Sequence, residues 1–288
     1  MTRPLIRTMT VIGVGLIGGS FARALKGSGA VERVIGVDRD QENLKTALEL
    51  GVVDEAAPSL ADGVRAADLV FLAVPVRSVA AVVAELAPHL AGGCIVTDGG
   101  SVKDELVRQC EALLPAGVAF VGGHPIAGTE HSGAAASFAE LFKGRRCILT
   151  PTATTDAAAL QTVRRLWEAA GSRVESMDPL THDRVFAAVS HLPHMVAYAL
   201  VHAVAASAEE EENILAFSAG GFRDFTRIAS SDPVMWRDIA LMNRGPLLDL
   251  LDRYADELAA LRQRVESGDG TWLEQFFRTS KRLRDEIT

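Results

Sequence analysis

The sequence predicts an α/β chain: an N-terminal doubly wound sheet followed by an all-α C-terminal domain. Three observations predict it. Short, continuously apolar runs alternate with helical patterns as far as Ser176. A G-x-G-x-x-G sequence, Gly13, Gly15 and Gly18, directly follows the first of those runs. From about Asp178 the strand-like runs stop, and Leu, Ala and Val recur at three- and four-residue spacing to the end.

Residues 10–14 read as the first strand and 17–26 as the first helix. A second strand at 34–37 leads to a helix at 41–50, ended by Gly51. A continuous apolar run at 69–74 precedes a helix at 79–90. Later strands read at Ile95–Asp98, 119–121 and 147–150; a helix at 156–170 then leads to a last strand at 172–176. Continuous rather than alternating apolar strands imply a sheet buried on both faces and crossed over by helices. In the second half, 180–208 reads as one long helix, with further helices at Pro233–Met242, 245–265 and 271–287. The division falls at 1–177 and 178–288. An all-helical half this small buries itself poorly, so it is expected to serve as a dimerisation domain, giving a homodimer. The acidic run at 209–212 reads as a solvated helix end or loop.

The 288 residues suit two domains, and a hydrophobic content of 48% allows substantial burial. A net charge of −8 and a pI near 5.4 argue against nucleic-acid and anionic-membrane partners. An anionic substrate would need a local basic pocket. Cys94, Cys110 and Cys147, odd in number and without a C-x-x-C, read as buried hydrophobes in a reducing compartment. No apolar run is read as reaching the roughly 18 residues of a membrane span. No signal-peptide core precedes the first strand, and a cytoplasmic protein is expected.

The glycine signature carries a mechanism. Gly13 permits a tight turn, Gly15 lets the backbone approach a pyrophosphate, and Gly18 allows close helix–strand packing, with Leu16 and Ile17 opening the helix. The helix N-terminus then offers its positive end to phosphates. This is a Rossmann-like dinucleotide site. The next strand ends at Asp38, at the expected distance, where a carboxylate hydrogen-bonds ribose hydroxyls and repels a 2′-phosphate. NAD is therefore expected over NADP, with Arg39 beside it a competing phosphate ligand. Val74 and Pro75 follow a strand at the edge where the nicotinamide half lies, and the loop from Asp98 through Ser101 to Lys103 follows the next. Each loop also reads as a plain strand-to-helix turn, with Ser101 as N-cap.

Residues 122–133, GGHPIAGTEHSG, place His124 and Glu130 in one glycine-rich loop. A histidine facing a bound nicotinamide can take an alcohol's proton while the cofactor takes the hydride. By position alone, His124 also reads as a cap on a neighbouring backbone group, the lesser of the two readings.

Together these stretches resemble the prephenate and arogenate dehydrogenase family of tyrosine biosynthesis. The resemblance covers nearly the whole chain. It rests on 13–18, 98–103 and the His124 loop, on His182-Asp183-Arg184, on Ser190-His191-Leu192-Pro193-His194, and on 220–229 and 231–236. It implies NAD-dependent oxidative decarboxylation of prephenate, with arogenate also accepted. It implies that His124 accepts the ring hydroxyl's proton and that Ser101 orients that hydroxyl. Arg227 would bind a substrate carboxylate, and His194 and His191 would line the side-chain end. Glu130 and Asp224 would belong to an ionic network that controls access. The cofactor residues are Gly13, Gly15, Leu16, Ile17, Gly18, Asp38, Arg39, Val74, Pro75 and Asp98. Two departures are minor: Gly99 replaces a bulkier residue, and His131 follows Glu130.

The chemistry fits these residue types. Removing hydride from a carbinol carbon requires loss of the hydroxyl proton, which a neutral imidazole can take. The ring then expels its carboxylate as carbon dioxide and becomes aromatic. A planar guanidinium suits the remaining carboxylate. Plainer readings stand beside these. His191 and His194, three apart, line a pocket or sit hydrogen-bonded in the core; a metal site would need a third ligand. Arg227 pairs with Asp224 or Asp232, leaving Arg223 as the carboxylate binder. Met235 and Trp236 read as core or dimer contacts. A β-hydroxyacid-type dehydrogenase would rely on a lysine in the helical half, which holds only Lys281. A non-catalytic NAD-binding sensor would have no need for His124, Ser101 and Arg227 together. With no length for a mutase segment before Met9 or a regulatory domain after the last helix, a monofunctional enzyme is expected.

Overall fold

The computed structural model describes residues 3–129, 131–207 and 214–287. Its apolar runs form an eight-stranded sheet. The strands are β1 (Ile6–Ile12), β2 (Val31–Val37), β3 (Glu55–Ala56), β4 (Leu69–Leu72), β5 (Ile95–Asp98), β6 (Ala119–Pro125), β7 (Arg146–Thr150) and β8 (Arg173–Ser176). Their order is β3-β2-β1-β4-β5-β6-β7-β8. Neighbours run parallel except β6 and β7. Helices α1 (Leu16–Ser28), α2 (Gln41–Glu49), α3 (Leu60–Val64), α4 (Val79–Leu86), α5 (Asp104–Leu113) and α6 (Ala157–Ala169) lie between strands. The pattern is a Rossmann-like doubly wound sheet.

The continuous apolar strands explain the layers. Successive residues of a strand point to opposite faces. Phe71 of β4 joins a core with Phe21, Phe142 and Trp167, while its neighbours Val70 and Leu72 join a second core with Val83, Leu106 and Trp236. Both faces are therefore buried. Cys94, Cys110 and Cys147 are buried free thiols, and burial pushes the first two up to about 12.

Three elements escape a sequence reading, two of them for their shortness. β3 spans two residues and α3 five, too few to show a period. α5 begins after a loop whose Ser101 reads as a cap, yet its N-cap position is Lys103. β6 also runs further than 119–121. It continues through Gly122 and Gly123 to Pro125, so His124 lies within the strand, opposite Ile148 of β7, rather than in a loop. The glycines are there for space. A Cβ on Gly122 would lie 2.4 Å from Thr150 Oγ1, and one on Gly123 would lie 2.8 Å from the Asp98 carbonyl oxygen.

The second half is helical: α7 (Pro179–Phe186), a π-helical segment at Ala187–His191, α8 (Leu192–Ser207), α9 (Gly220–Thr226), α10 (Pro233–Met242), α11 (Arg244–Glu266) and α12 (Gly270–Asp285). The helix expected at 180–208 is thus re-phased by a π-turn before His191, a distortion common at functional sites. The acidic run at 209–212 lies outside the described residues. One expectation is corrected. The 28-residue helical run Pro179–Ala206 is long and apolar enough to cross a membrane by length and composition. Scattered His and Asp residues hide that length in the sequence, and they turn inward: His182, Asp183 and His191 are buried. Apolar Val189, Phe217, Leu241 and Phe277 of this half are exposed. Trp236 and Ile239 of α10 insert into the sheet's second core, which docks the helices onto the sheet.

Candidate active site

The dinucleotide cradle lies at the carboxyl ends of β1, β2 and β4. Gly13 has φ +88°, and a Cβ there would meet the Ala73 carbonyl oxygen at 2.5 Å. Gly18 would place a Cβ 2.1 Å from the Gly13 carbonyl oxygen. Gly15 faces open space, and the first turn of α1 has no side-chain cap. Its free N–H groups therefore suit a pyrophosphate. The Leu16 side chain turns into the core, so only its backbone can contribute, while Ile17 is half-buried. Asp38 accepts hydrogen bonds from the Val14 N–H (2.9 Å), Asn43 Nδ2 (3.1 Å) and the Asp40 N–H (3.0 Å). Its carboxylate is held beside the glycine turn. Arg39 is exposed, as is Pro75, and Val74 is half-buried.

Asp98 does something other than expected. It is fully buried and forms an ion pair with the equally buried Lys103. It also accepts from the Gly100 N–H (2.8 Å) and the Gly123 N–H (3.1 Å), while Lys103 Nζ donates to the Gly123 carbonyl (2.8 Å). Both carboxylate oxygens are used within the protein, so Asp98 braces β5 against β6 rather than touching a cofactor. The brace sets the residue next to Gly123, which is His124. Ser101, half-buried in the same loop, makes no protein hydrogen bond among the described residues.

His124 is buried. Its Nδ1 lies 2.8 Å from Nε2 of His182 on α7. His182 Nδ1 in turn lies 2.8 Å from Asp183 Oδ1. The Asp183 carboxylate also accepts from the Lys103 and Asp104 N–H groups, at 2.8 and 2.9 Å, capping α5 in place of Ser101. Phe186 packs edge-on to His124, with ring centroids 4.8 Å apart. Burial holds the His124 pKa well below the usual histidine value, and the charges of His182, Lys103 and His191 add to this. Burial also lowers His182, outweighing the opposing hydrogen bond to Asp183. Both rings are therefore neutral at neutral pH.

A second group of side chains adjoins this one. Asn243 Nδ2 donates to the Asp183 carbonyl (2.8 Å) and to His191 Nδ1 (3.0 Å). His191 is fully buried, its pKa lowered to about 4, chiefly by burial. Its Nε2 has no partner among the described residues. His194 stacks on Trp236 with centroids 3.5 Å apart and bonds the Ser190 carbonyl through Nδ1. Arg227 opens the turn after α9, exposed and close enough for its charge to lower His194 after burial. Arg227 and Asp224 make no ion pair among the described residues, and Asp232 instead caps α10 at the Met235 N–H. Glu130 lies outside the described residues.

A sequence model described as prephenate dehydrogenase, nucleotide-binding domain, matches residues 21–176, and one described as prephenate dehydrogenase, dimerization domain, matches 178–279. The chain belongs to the prephenate dehydrogenase family. It is 41% identical to a prephenate dehydrogenase of Bacillus subtilis over 97% of this chain and 76% of that relative. It is 40% identical to a cyclohexadienyl dehydrogenase of Zymomonas mobilis, over 97% and 96% of the two chains. A crystal structure of prephenate dehydrogenase from A. aeolicus, in complex with hydroxyphenyl propionate and NAD+, superposes with a TM-score of 0.92 at 40% identity and covers 98% of each chain.

Within this family's fold, the structure brings together most of what the sequence singles out: His124, the Ser101 loop, His191, and His194 beside Arg227. It adds four side chains to which sequence reasoning assigns no role, although His182 and Asp183 belong to one of the motifs. His182 and Asp183 lie behind His124, and Asn243 joins them to His191. Asn43 donates to the Val14 carbonyl (3.0 Å) and accepts from the Ala134 N–H (2.7 Å), tying the glycine turn to the segment after His131. The motif His182-Asp183-Arg184 is the available signal for the first pair.

Proposed function

We propose that the chain oxidises prephenate, and arogenate as a second substrate, to 4-hydroxyphenylpyruvate or tyrosine with release of carbon dioxide. NAD+ accepts the hydride when bound. The observation that carries this reading is a neutral, buried His124 anchored through Nδ1 at the carboxyl end of β6, the same end of the parallel strands at which the uncapped glycine-rich helix starts. His124 takes the proton of the ring hydroxyl as hydride leaves the same carbon. The free Ser101 hydroxyl orients that oxygen. The electron pair of the ring carbon–carboxylate bond moves into the ring, which becomes aromatic, and carbon dioxide departs. Arg227, unpaired among the described residues, binds a substrate carboxylate, with His194 beside it and buried His191 behind. The resemblance assigns Glu130 and Asp224 to an ionic network that controls access. Asp38 holds the ribose and sets the preference for NAD, while Arg39 stays in solvent.

The cofactor half spans 1–177 and the helical half 178–288. The exposed apolar residues of that half, Val189 and Leu241 among them, meet a second copy in a homodimer. Its place of action is the cytoplasm. The relative bound to hydroxyphenyl propionate and NAD+ supports an aromatic acid and this cofactor.

The test is direct. With NAD+ present, absorbance of the reduced nicotinamide is followed with prephenate and arogenate in parallel. Turnover is expected with at least one, and the ratio of kcat/KM values names the preferred substrate. His124→Asn should lower kcat by roughly 10²–10⁴-fold. Near-normal turnover in that variant would remove His124 as the base.

A further inference from the structure

A histidine works as a base only if the nitrogen facing the substrate carries the lone pair, and three contacts behind His124 decide which nitrogen that is. The Asp183 carboxylate already accepts the Lys103 and Asp104 N–H groups, one on each oxygen. A carboxylate in that role is an acceptor, so the hydrogen in its 2.8 Å contact with His182 belongs to His182 Nδ1. A neutral imidazole has one N–H, which makes His182 Nε2 an acceptor. The 2.8 Å contact between the two rings then requires the hydrogen on His124 Nδ1. His124 Nε2, which has no protein partner among the described residues, is left with the lone pair.

We infer that His182 and Asp183 are positioning residues for the reaction: they fix His124 as its Nδ1–H tautomer and stabilise the imidazolium formed when Nε2 takes the substrate's proton. The inference rests on the reading of His124 as proton acceptor. The balance is simple. The substrate O–H bond breaks and an Nε2–H bond forms. Nδ1–H stays on His124, and its hydrogen bond to His182 strengthens as charge develops. The hydride goes to NAD+, and no further proton moves. The same carboxylate caps α5 immediately after the Ser101 loop, so one group aligns both the base and the hydroxyl beside it. The ionisable groups facing the two rings are Lys103 and Asp98 from the β5–α5 loop, Asp183 on α7 and His191 in the π-helical segment. Lys103 is neutralised by Asp98, which leaves Asp183 as the anion in direct contact with the pair.

The experiment has two arms. In the first, ¹⁵N-labelled wild-type protein without cofactor is examined by imidazole ¹H–¹⁵N correlation at neutral pH. His124 is expected with its proton on Nδ1; finding it on Nε2 overturns the inference without any variant having to fold. In the second, His182→Leu and His182→Gln are compared with the wild type by steady-state kinetics. Leucine removes the acceptor, and kcat should fall roughly 10²-fold with KM for prephenate and NAD+ within about twofold. Glutamine can present an acceptor oxygen and should recover most of the loss. A purely packing role predicts the reverse order, because leucine fills the apolar site better. An unchanged kcat, or a change confined to KM, also overturns the inference. His124→Asn separates the two readings. An active His124→Asn protein removes the base itself, whereas an inactive one beside a fully active His182→Leu protein removes only the pair behind it.

Discussion

At the scale of single residues, the proposed site divides into groups that would act on protons and groups that would hold charge. His124 is neutral because burial penalises its charged form, so nothing need remove a proton from it before reaction. Arg227 has the opposite situation. It is exposed and unpaired among the described residues, and its charge costs little to maintain until a carboxylate arrives. Binding made before and during reaction to the same extent appears in KM and not in kcat. Arg227→Ala should therefore raise KM for prephenate roughly 10- to 100-fold, the worth of one charge-assisted pair, and leave kcat within a few-fold. Steady-state kinetics checks this; an unchanged KM would shift the role to Arg223. His124 was legible because a histidine among glycines, a hundred residues after a dinucleotide turn, has few structural reasons to be there. His182 was not. It sits in the polar stretch 181–184 of α7, where a histidine looks like any solvated helix residue, and its partner lies 58 positions away in the chain.

At the scale of elements, strands were legible wherever four or more apolar residues ran together, and helices wherever a period of 3.6 repeated. β6 defeated that logic at its end because Gly122 and Gly123 look like strand breakers. They are tolerated because β7, β5 and α5 press against them, leaving no room for a side chain. The β5–β6 junction shows a second limit of sequence reading. Asp98 sits where cofactor ligands sit in such folds, yet its carboxylate neutralises Lys103 with no exposure to solvent. Removing one partner of a buried pair leaves an uncompensated charge. Asp98→Asn should therefore destabilise the fold by about 3–5 kcal/mol, seen as a lower denaturation midpoint. KM for NAD+ should change little in the fraction that remains folded. A stable variant with a raised KM for NAD+ would restore Asp98 to the cofactor site.

At the scale of the whole molecule, the helical half closes the site by bringing His182 and His191 up to His124 at the carboxyl end of β6, and that closure has a pH signature. His124, His182 and His191 each have a folded pKa below the ordinary value of 6.5, in every case led by burial. Between the folded and unfolded pKa values, the unfolded chain binds more protons than the native one. Stability therefore rises with pH through that window and is lost as pH falls. For His191 the window runs from 6.5 down to about 4. A shift of that size corresponds to a loss on the order of 3 kcal/mol at its acid end, and the other two histidines add to it. The chain should thus hold its full stability above neutral pH and lose it steadily below 6.5, before most carboxylates titrate. Denaturant midpoints at pH 7.5, 6.5, 5.5 and 5.0 check this, and the slope between the last three counts the protons taken up on unfolding. A midpoint flat across that range would mean that the three rings are charged or solvated in the native state. The neutral base proposed for His124 would then lose its physical footing.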